Sequence, residues 1–295
     1  MLVSSLARSW YEASFLSHGA NMNFAYEKPT TAQALSRLLE QGGAGASLLA
    51  GGTDLLVQLR GRLIEPKLVI DLKGVEELSR LDHHDDGSVT IGATVTANRV
   101  IDDKRLSGAM AALPHACSHI AAFAIRNRAT IAGNIANASP CADSVPPLCV
   151  LDAEVELRTT TATRRLSLPA FIRGVRATVR AKNEYIAAIH VPAQPKGTRS
   201  FFRKHQRVRG HDLALANAAL LHDPERKRLR VAIGSCSPAP VVVVLDDLFE
   251  SLDAQEAARR CMAAIIPISD VRASAEYRTD MTGVLVRRLF DDLKA

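Results

Sequence analysis

The sequence predicts an α+β fold, and three patterns support this class. A strand, a glycine-rich turn, a helix and a second strand follow one another near the N-terminus. Segments rich in alternating β-branched residues fill the middle of the chain. In the C-terminal third, an antiparallel meander of strands precedes two amphipathic helices.

The first of these segments has the order helix, strand, glycine turn, helix, strand. Thr30 and Gln33 predict a capping box before the first helix, and Gly42 and Gly43 are expected to end that helix. Apolar spacing and β-branched content indicate the remaining elements, which are a strand at 47–49, a helix at 54–60 and a strand at 67–71. This order is typical of a small α/β unit.

The rest of the chain is predicted in the same way. Thr96 to Cys117 is expected to be helical with a break near Pro114. Strands are predicted at 88–92, 153–158, 164–168, 185–191, 200–206, 213–221 and 229–234, and closing helices at 254–265 and 279–294.

Pro192, Pro195 and Gly197 mark the predicted domain boundary. We therefore expect one domain at 22–195, with subdomains at about 22–75 and 76–195, and a second domain at 196–295. Residues 1–21 lack a sustained apolar core, so we expect an extension that is not needed for folding rather than a signal peptide.

The composition argues against several classes of function. The 295 residues include 47% hydrophobic and 23% charged residues, which is typical of a globular protein. No apolar run approaches the roughly 20 residues needed to span a bilayer, and an aromatic content of 4% leaves little surface for base stacking. We therefore expect no membrane span and no nucleic-acid partner. The five scattered cysteines lack zinc-ligand spacing and indicate buried thiols in a reducing cytoplasm.

Two polar, glycine-containing loops are the main functional signal. The first loop is Ala50–Asp54, and the second loop is Thr130–Asp143. Glycine allows the backbone to approach a ligand, and a helix that follows adds partial positive charge at its N-terminus. Two such loops would suit one long anionic cofactor.

Each loop also has a purely structural interpretation. Thr53 could simply cap a helix, and Asn134 and Asn137 could cap and turn the chain. The second loop favours a function more strongly, because a turn seldom needs so many side chains that form hydrogen bonds. Neither loop is a Walker loop or a G-x-G-x-x-G motif, and the sequence pattern indicates no catalytic triad. Lys204 follows the apolar pair Phe201-Phe202 and is the expected inward-facing cation of a basic stretch.

The two loops, with their flanks, carry a family resemblance. Leu48–Leu55 and Arg126–Asn134, followed by Ala138-Ser139-Pro140 and Asp143, resemble the FAD-binding medium subunit of the molybdenum hydroxylases. This family includes xanthine dehydrogenase and carbon monoxide dehydrogenase. The resemblance runs from Met22 to the C-terminus. It implies a two-subdomain FAD-binding domain of the vanillyl-alcohol oxidase type and a C-terminal α+β domain of the carbon monoxide dehydrogenase flavoprotein type.

The resemblance also implies FAD as cofactor and assigns roles to individual residues. Backbone amides of the first loop, and those of Gly133 and Asn134, would contact the pyrophosphate. Thr130, Ser139 and Asp143 of the second loop match positions that touch phosphate, ribitol or ribose. Ile186 and Lys204 match positions that line the isoalloxazine. The full set of implied cofactor-binding residues is Leu48, Leu49, Ala50, Gly51, Gly52, Thr53, Asp54, Leu55, Thr130, Ile131, Ala132, Gly133, Asn134, Ser139, Asp143, Ile186 and Lys204.

The implied chemistry is electron transfer within a cytoplasmic heterotrimer. A molybdopterin-binding large subunit would hydroxylate the substrate, and electrons would pass through the [2Fe-2S] clusters of a small subunit to FAD and on to NAD or another acceptor. No catalytic acid or base and no metal ligand is expected in this chain, because the flavin carries the redox step. Some relatives hold a [4Fe-4S] cluster in a cysteine-rich insertion, for which Cys141 and Cys149 alone do not suffice.

The residues are also compatible with two other functions. A free-standing FAD-dependent oxidoreductase of the same fold would need its own substrate pocket, and a cofactor-free scaffold subunit would not need the glycine loops. Ala132 also stands where glycine is commoner in the family, so its backbone must tolerate a Cβ atom.

Overall fold

The computed structural model describes residues 23–208 and 210–295. The expected N-terminal extension at 1–21 and the basic residue Arg209 lie outside the described residues. One parallel sheet is followed along the chain by two larger antiparallel sheets and a short hairpin. This mixture of helices and sheets confirms the predicted α+β class.

The first sheet has three parallel strands in the order β1-β3-β2. Its elements are β1 (Ala25–Glu27), α1 (Ala32–Gly42), β2 (Ala46–Leu49), α2 (Leu55–Arg60) and β3 (Leu68–Asp71). Leu35 and Leu39 bury one face of α1. Thr31 caps this helix, because its Oγ1 accepts the Ala34 amide at 3.2 Å, so the predicted cap at Thr30 was wrong by one residue. The first loop leaves the carboxyl end of β2 and leads into α2.

The second sheet has five antiparallel strands in the order β4-β5-β10-β6-β7. Its strands are β4 (Leu81–His83), β5 (Val89–Gly92), β6 (Glu154–Arg158), β7 (Thr163–Ser167) and β10 (Tyr185–Val191). The helices between them are α3 (Ala97–Asp102), α4 (Ala112–Ser118), α5 (Phe123–Arg126), α6 (Ile131–Ala136), α7 (Val145–Val150) and α8 (Leu168–Phe171). A hairpin of β8 (Ile172–Gly174) and β9 (Ala177–Thr178) follows α8.

The helix expected over Thr96–Cys117 is two helices, so that prediction was wrong in its details. The α-helical conformation ends after Asp102, and a 3-10 turn at Gly108–Met110 precedes α4, which begins at Ala112. Pro114 lies inside the first turn of α4, where its missing N–H has no helical acceptor to lose. A proline at this position therefore starts a helix rather than breaking one.

The third sheet is a meander of four antiparallel strands, as predicted, although its last strand was missed. Its elements are β11 (Arg199–His205), β12 (Ala216–Asp223), β13 (Arg228–Gly234), β14 (Val241–Val244), α9 (Ala254–Ala264) and α10 (Ala275–Lys294). Alternation along β12 divides its side chains between two cores. Ala219 and Leu221 pack with the second sheet, and Ala218 and Leu220 pack with α9 and α10.

Helix α7 joins the second and third sheets. All six of its residues are buried, and it packs against β11, β12 and β13. The second loop ends immediately before this helix, so the third sheet lies directly behind that loop. Among the helices of the described residues, none has the length and apolar character needed to cross a membrane.

Candidate functional site

The first loop lies in direct contact with the segment that leads into the second loop. A Cβ atom placed on Gly51 would lie 1.9 Å from the carbonyl oxygen of Arg128 and 3.1 Å from the Cα of Ala129. No side chain fits in that space, because real Cβ atoms do not approach backbone so closely. The first loop therefore packs on the chain that leads into the second loop, and a single ligand can reach both.

The shape of the first loop depends on a second glycine and on a lysine. Gly52 has a φ of +79°, a conformation that residues with a Cβ atom rarely adopt. The ammonium of Lys73 donates to the carbonyl of Ala50 at 3.0 Å and pairs with Asp71 at 2.6 Å. Sequence reasoning missed Lys73, although its place just after β3, next to the end of β2, was a usable signal.

The first loop presents a row of open backbone donors. The amides of Gly51, Gly52, Thr53 and Asp54 have no hydrogen-bond acceptor anywhere in residues 23–208 and 210–295. Glycine flexibility and the turn into α2 bring these four donors into one short segment. Successive backbone N–H groups of this kind bind anions, and phosphate oxygens in particular.

The amides of Gly133 and Asn134 in the second loop, unlike those of the first loop, have acceptors within the chain. The Gly133 amide donates to the Oγ1 of Thr130 at 3.0 Å, and the Asn134 amide donates to the carbonyl of Thr130 at 2.9 Å. Both donors are therefore committed to the N-terminus of α6. Ala132 lies within α6 and is 4% exposed, so its Cβ is accommodated as expected.

The remaining polar side chains of the second loop largely hold the loop itself. The Oδ1 of Asn134 accepts the hydroxyl of Ser144 at 2.7 Å, and the Oγ of Ser139 accepts the Cys141 amide at 3.3 Å. Ser139 is half-buried and keeps an exposed part of its surface. It is thus placed to contact a ligand as well as to shape the turn.

The polar segment before the second loop, which includes Arg126 and Asn127, has a structural role. Arg126 donates to the carbonyls of Ile120 and Ala121, each at 3.0 Å, and to the Oδ1 of Asn98. The Nδ2 of Asn98 in turn donates to Asn127 at 2.6 Å. These bonds fix the turn between α4 and α5 and leave this arginine little freedom to bind a ligand.

A buried ion pair joins the second loop to the third sheet. The Nζ of Lys204 lies 2.7 Å from the Oδ2 of Asp143, and the two side chains are 2% and 6% exposed. The same ammonium donates to the carbonyls of His119 at 3.1 Å and of Asp212 at 3.0 Å. All three of its N–H groups are therefore engaged. The prediction that Lys204 faces inward is confirmed by this geometry.

Asn217 on β12 completes the environment of Asp143, and sequence reasoning missed it. Its Nδ2 donates to the Oδ1 of Asp143 at 2.9 Å, and the residue is fully buried. Burial raises the pKa of Asp143, although Lys204 and Asn217 both favour its charged form. Loss of either donor would raise this pKa further. Nothing in the local sequence around Asn217 points to this role, because the contact spans 74 positions.

An open cleft of about 550 Å³ is lined in part by His119, the residue whose carbonyl accepts a hydrogen bond from Lys204. One wall is the turn between α4 and α5, and the other is the turn between β11 and β12; the lining residues are Ser118, His119, Ala121, Ala122, Phe123, Arg126, Gln206, Gly210 and His211. Burial, together with the neighbouring His115 and Lys204, lowers the pKa of His119 to about 4. His119 is thus neutral at pH 7, and it lines the cleft as an uncharged polar group.

The hairpin of β8 and β9 brings Arg176 to the two loops. Its Nη1 donates to the Oδ1 of Asn137 at 2.6 Å and lies 3.4 Å from the Oδ2 of Asp54. Its amide donates to the carbonyl of Ala138 at 2.9 Å. Arg176 therefore connects the first loop to the second loop, and sequence reasoning missed this residue too.

The other expected site residues take ordinary positions in the fold. Leu48 and Leu49 end β2, and Leu55 begins α2. Ile131 and Ile186 are buried in the same core, and α6 packs on β10, which carries Ile186. The described residues contain no group of three or more His, Cys, Asp or Glu that could hold a metal ion.

Comparison with known families identifies the chain. The FAD binding domain in molybdopterin dehydrogenase matches residues 22–194, and the CO dehydrogenase flavoprotein C-terminal domain matches residues 200–293. The chain belongs to this family of flavoprotein subunits. It is the FAD-binding medium subunit type of the molybdenum hydroxylases, which confirms the family, the FAD cofactor and the oxidoreductase class expected from the sequence.

Individual relatives support the same assignment. The carbon monoxide dehydrogenase medium chain of Hydrogenophaga pseudoflava is 30% identical over 274 residues, which cover 90% of this chain and 95% of the relative. The xanthine dehydrogenase FAD-binding subunit of Escherichia coli O157:H7 is 29% identical over 262 residues, covering 85% and 89%. The solved carbon monoxide dehydrogenase of H. pseudoflava matches with a TM-score of 0.82 at 28% identity, covering 91% of this chain and 96% of that one.

The residues present fit an FAD molecule. The open amides of the first loop suit a pyrophosphate, and the cleft beside Lys204 has room for a planar ring system. The Cβ-free contact at Gly51 brings the two loops together as one ligand would require. These observations are independent of the family match, and they agree with it.

We predict that Gly51→Ala separates the two loops. The added Cβ would collide with the Arg128 carbonyl, and such overpacking costs about 1–3 kcal/mol or more in the free energy of unfolding. FAD affinity should fall with it. Gly45→Ala is the matched control, since its Cβ would meet only the Lys67 side chain at ordinary contact distance. Urea unfolding and flavin titration measure both effects, and equal behaviour of the two variants would contradict the prediction.

We also predict that Lys204→Met destabilises the chain by about 3–5 kcal/mol, because it leaves the Asp143 carboxylate buried and uncompensated. The double variant with Asp143→Asn should lose less than Lys204→Met alone. Lys227→Met, which breaks an exposed pair with Glu250, should leave the free energy of unfolding close to that of the wild type. Chemical unfolding tests all three, and a Lys204→Met variant as stable as the wild type would refute the role given to this pair.

Proposed function

We propose that this chain is the FAD-carrying electron-transfer subunit of a heterotrimeric molybdenum hydroxylase in the cytoplasm. Electrons would arrive from the [2Fe-2S] clusters of a small subunit and leave to NAD or another acceptor. The observation that carries the proposal is the row of four open amides, Gly51–Asp54, in a chain of this family. FAD, when bound, supplies a redox centre that exchanges electrons with both sides.

The proposal assigns each part of the cofactor to a part of the site. The pyrophosphate would lie on the amides of the first loop, and Thr130, Ser139 and Asp143 would face the phosphates and the sugar hydroxyls. The isoalloxazine would occupy the cleft beside Lys204, near the strand that carries Ile186. Because the N–H groups of Lys204 are all engaged, this lysine would act on the ring through its positive charge and through its hold on Asp143.

The proposed division of the chain is a cofactor-binding domain at 22–195 and a C-terminal domain at 196–295. The ranges of the two family matches, 22–194 and 200–293, support this division. Lys204 and Asn217 belong to the C-terminal part, yet both contact Asp143. The second domain would therefore contribute to the cofactor site rather than serve only for assembly.

The names of the relatives support the proposed partners. One relative is subunit alpha of the 6-hydroxypseudooxynicotine dehydrogenase complex of Paenarthrobacter nicotinovorans, 27% identical over 282 residues. Another is the medium subunit of the nicotine 6-hydroxylase of the same organism, 30% identical over 254 residues. Each name describes one part of a larger enzyme. We propose the same arrangement here, with a molybdopterin-binding large subunit and an iron–sulfur small subunit.

Purification of the complex with its partner subunits tests the function directly. We expect flavin absorbance together with molybdenum and iron in the complex. The isolated chain should show flavin absorbance without iron. A colourless isolated chain that ignores added FAD would contradict the proposal, and so would a chain that turns over a substrate without any partner subunit.

The proposed charge effect of Lys204 has its own test. Lys204→Met should lower the midpoint potential of the bound flavin by about 30 mV or more, because a nearby cation stabilises the anionic reduced flavin; for two electrons this corresponds to about 1.4 kcal/mol. Lys204→Arg keeps the charge and should stay close to the wild-type potential. Spectroelectrochemical titration of the FAD-loaded chain measures both. An unchanged potential in Lys204→Met would argue against this role.

A further inference from the structure

The backbone around Arg176 has an unusual conformation. It lies at the turn of the β8–β9 hairpin, where its φ is +53°, and Ala138, which accepts its amide, has a φ of +45°. Both residues carry a Cβ atom, and left-handed backbone is uncommon for such residues. The hairpin is thus held in a specific geometry that presents the Arg176 guanidinium to the junction of the two loops.

The guanidinium of Arg176 is less strongly paired than the two lysines of the site. Lys73 is paired with Asp71, and Lys204 is paired with Asp143. Both of those lysines already have close carboxylate partners. The side chain of Arg176 is 58% exposed, and its contact with Asp54 is long, at 3.4 Å. A pyrophosphate bound at the first loop would bring negative charge close to this weakly paired arginine.

The guanidinium also keeps unused donors. Arginine has five N–H donors in a rigid fork that matches phosphate oxygens. Within the described part of the chain, only the Nη1 of Arg176 donates to protein side chains, namely to Asn137 and Asp54. The Nε and Nη2 groups are left for a ligand at the same junction. Hydrogen bonds of this kind, between a guanidinium and a phosphate, are among the strongest in proteins.

We infer that Arg176 is a phosphate-binding residue of the cofactor site, an inference that rests on the proposed binding of FAD. The bond to Asn137 orients the guanidinium, and the remaining N–H groups bind the pyrophosphate that the amides of Gly51–Asp54 hold from the other side. The long contact with Asp54 gives way when the ligand enters. Arg176 thereby recognises the dinucleotide part of the cofactor and not its flavin ring.

The test compares two ligands that differ in phosphate. FAD and riboflavin are titrated into the full-length apo chain, and binding is followed by flavin fluorescence at low and high salt. For Arg176→Met, the Kd for FAD should rise by about tenfold to a hundredfold, and the Kd for riboflavin should change by less than about twofold. The salt dependence of FAD binding should also become weaker than in the wild type.

Arg173→Met is the matched control. Arg173 is exposed on the same hairpin and makes no ion pair with any described residue, so this variant should bind both ligands as the wild type does. Arg176→Lys keeps the charge but loses the fork, and it should bind FAD with intermediate affinity. Arg176→Lys also serves as the test if Arg176→Met does not fold. Weaker binding of FAD by Arg176→Lys, with riboflavin binding unchanged, would support the inference.

The outcomes separate this inference from the proposed function. A wild-type chain that does not bind FAD would overturn the proposed function and this inference with it. A wild-type chain that binds FAD, together with an Arg176→Met variant that binds it equally well, would overturn only the role of Arg176. Equal weakening of FAD and riboflavin would also overturn that role, because it would show that Arg176 merely holds the loops together.

Discussion

The ion pair between Lys204 and Asp143 is the interaction on which the site depends most. Burying two charges is costly unless they are paired and hydrogen-bonded, and here the three N–H groups of Lys204 and both oxygens of Asp143 are engaged. Because Lys204 comes from β11 and Asp143 from the second loop, the pair can form only when the third sheet packs behind that loop. The amide of Ser235 adds a bond to the carbonyl of Pro140 at 2.8 Å. The geometry of the second loop is therefore set by a part of the chain that follows it by many residues.

The first loop is positioned by backbone constraints instead of charge. Gly51 must lack a side chain because the Arg128 carbonyl occupies that space, and Gly52 must adopt a left-handed φ. These backbone constraints are visible in the local sequence, because only glycine satisfies them without strain. This explains why both loops, and the family to which they belong, were recognisable from the sequence. Contacts between residues far apart in the sequence could not be predicted in this way. Arg176 contacts Asp54 across 122 positions, and Asn217 contacts Asp143 across 74.

The same distinction explains which elements of the fold were predictable. Strands β10 and β13 carry β-branched and apolar runs that indicate a strand whatever surrounds them. The helix break was misplaced because Pro114 indicates a break from local chemistry, whereas its position in the first turn of α4 removes the conflict. The Gly133 amide also follows a local rule. A threonine before a helix accepts from the third amide of that helix, and the Gly133 amide donates to Thr130 in this way. The contact of this amide with the pyrophosphate stays a prediction.

The cations of the site have different burial, and this difference separates their roles. Lys204 is buried and fully bonded, so its charge is fixed in place before any cofactor binds, which suits the tuning of a ring that must accept and release electrons in one orientation. Arg176 is largely exposed and weakly paired, so it can exchange Asp54 for a phosphate without leaving a buried charge behind. A buried cation reserved for the phosphates would stay desolvated and unpaired in the empty chain, which would destabilise the fold. In the proposed arrangement the fixed charge would lie beside the ring and the exchangeable charge beside the pyrophosphate, so FAD could bind without a buried, unpaired cation in the empty chain.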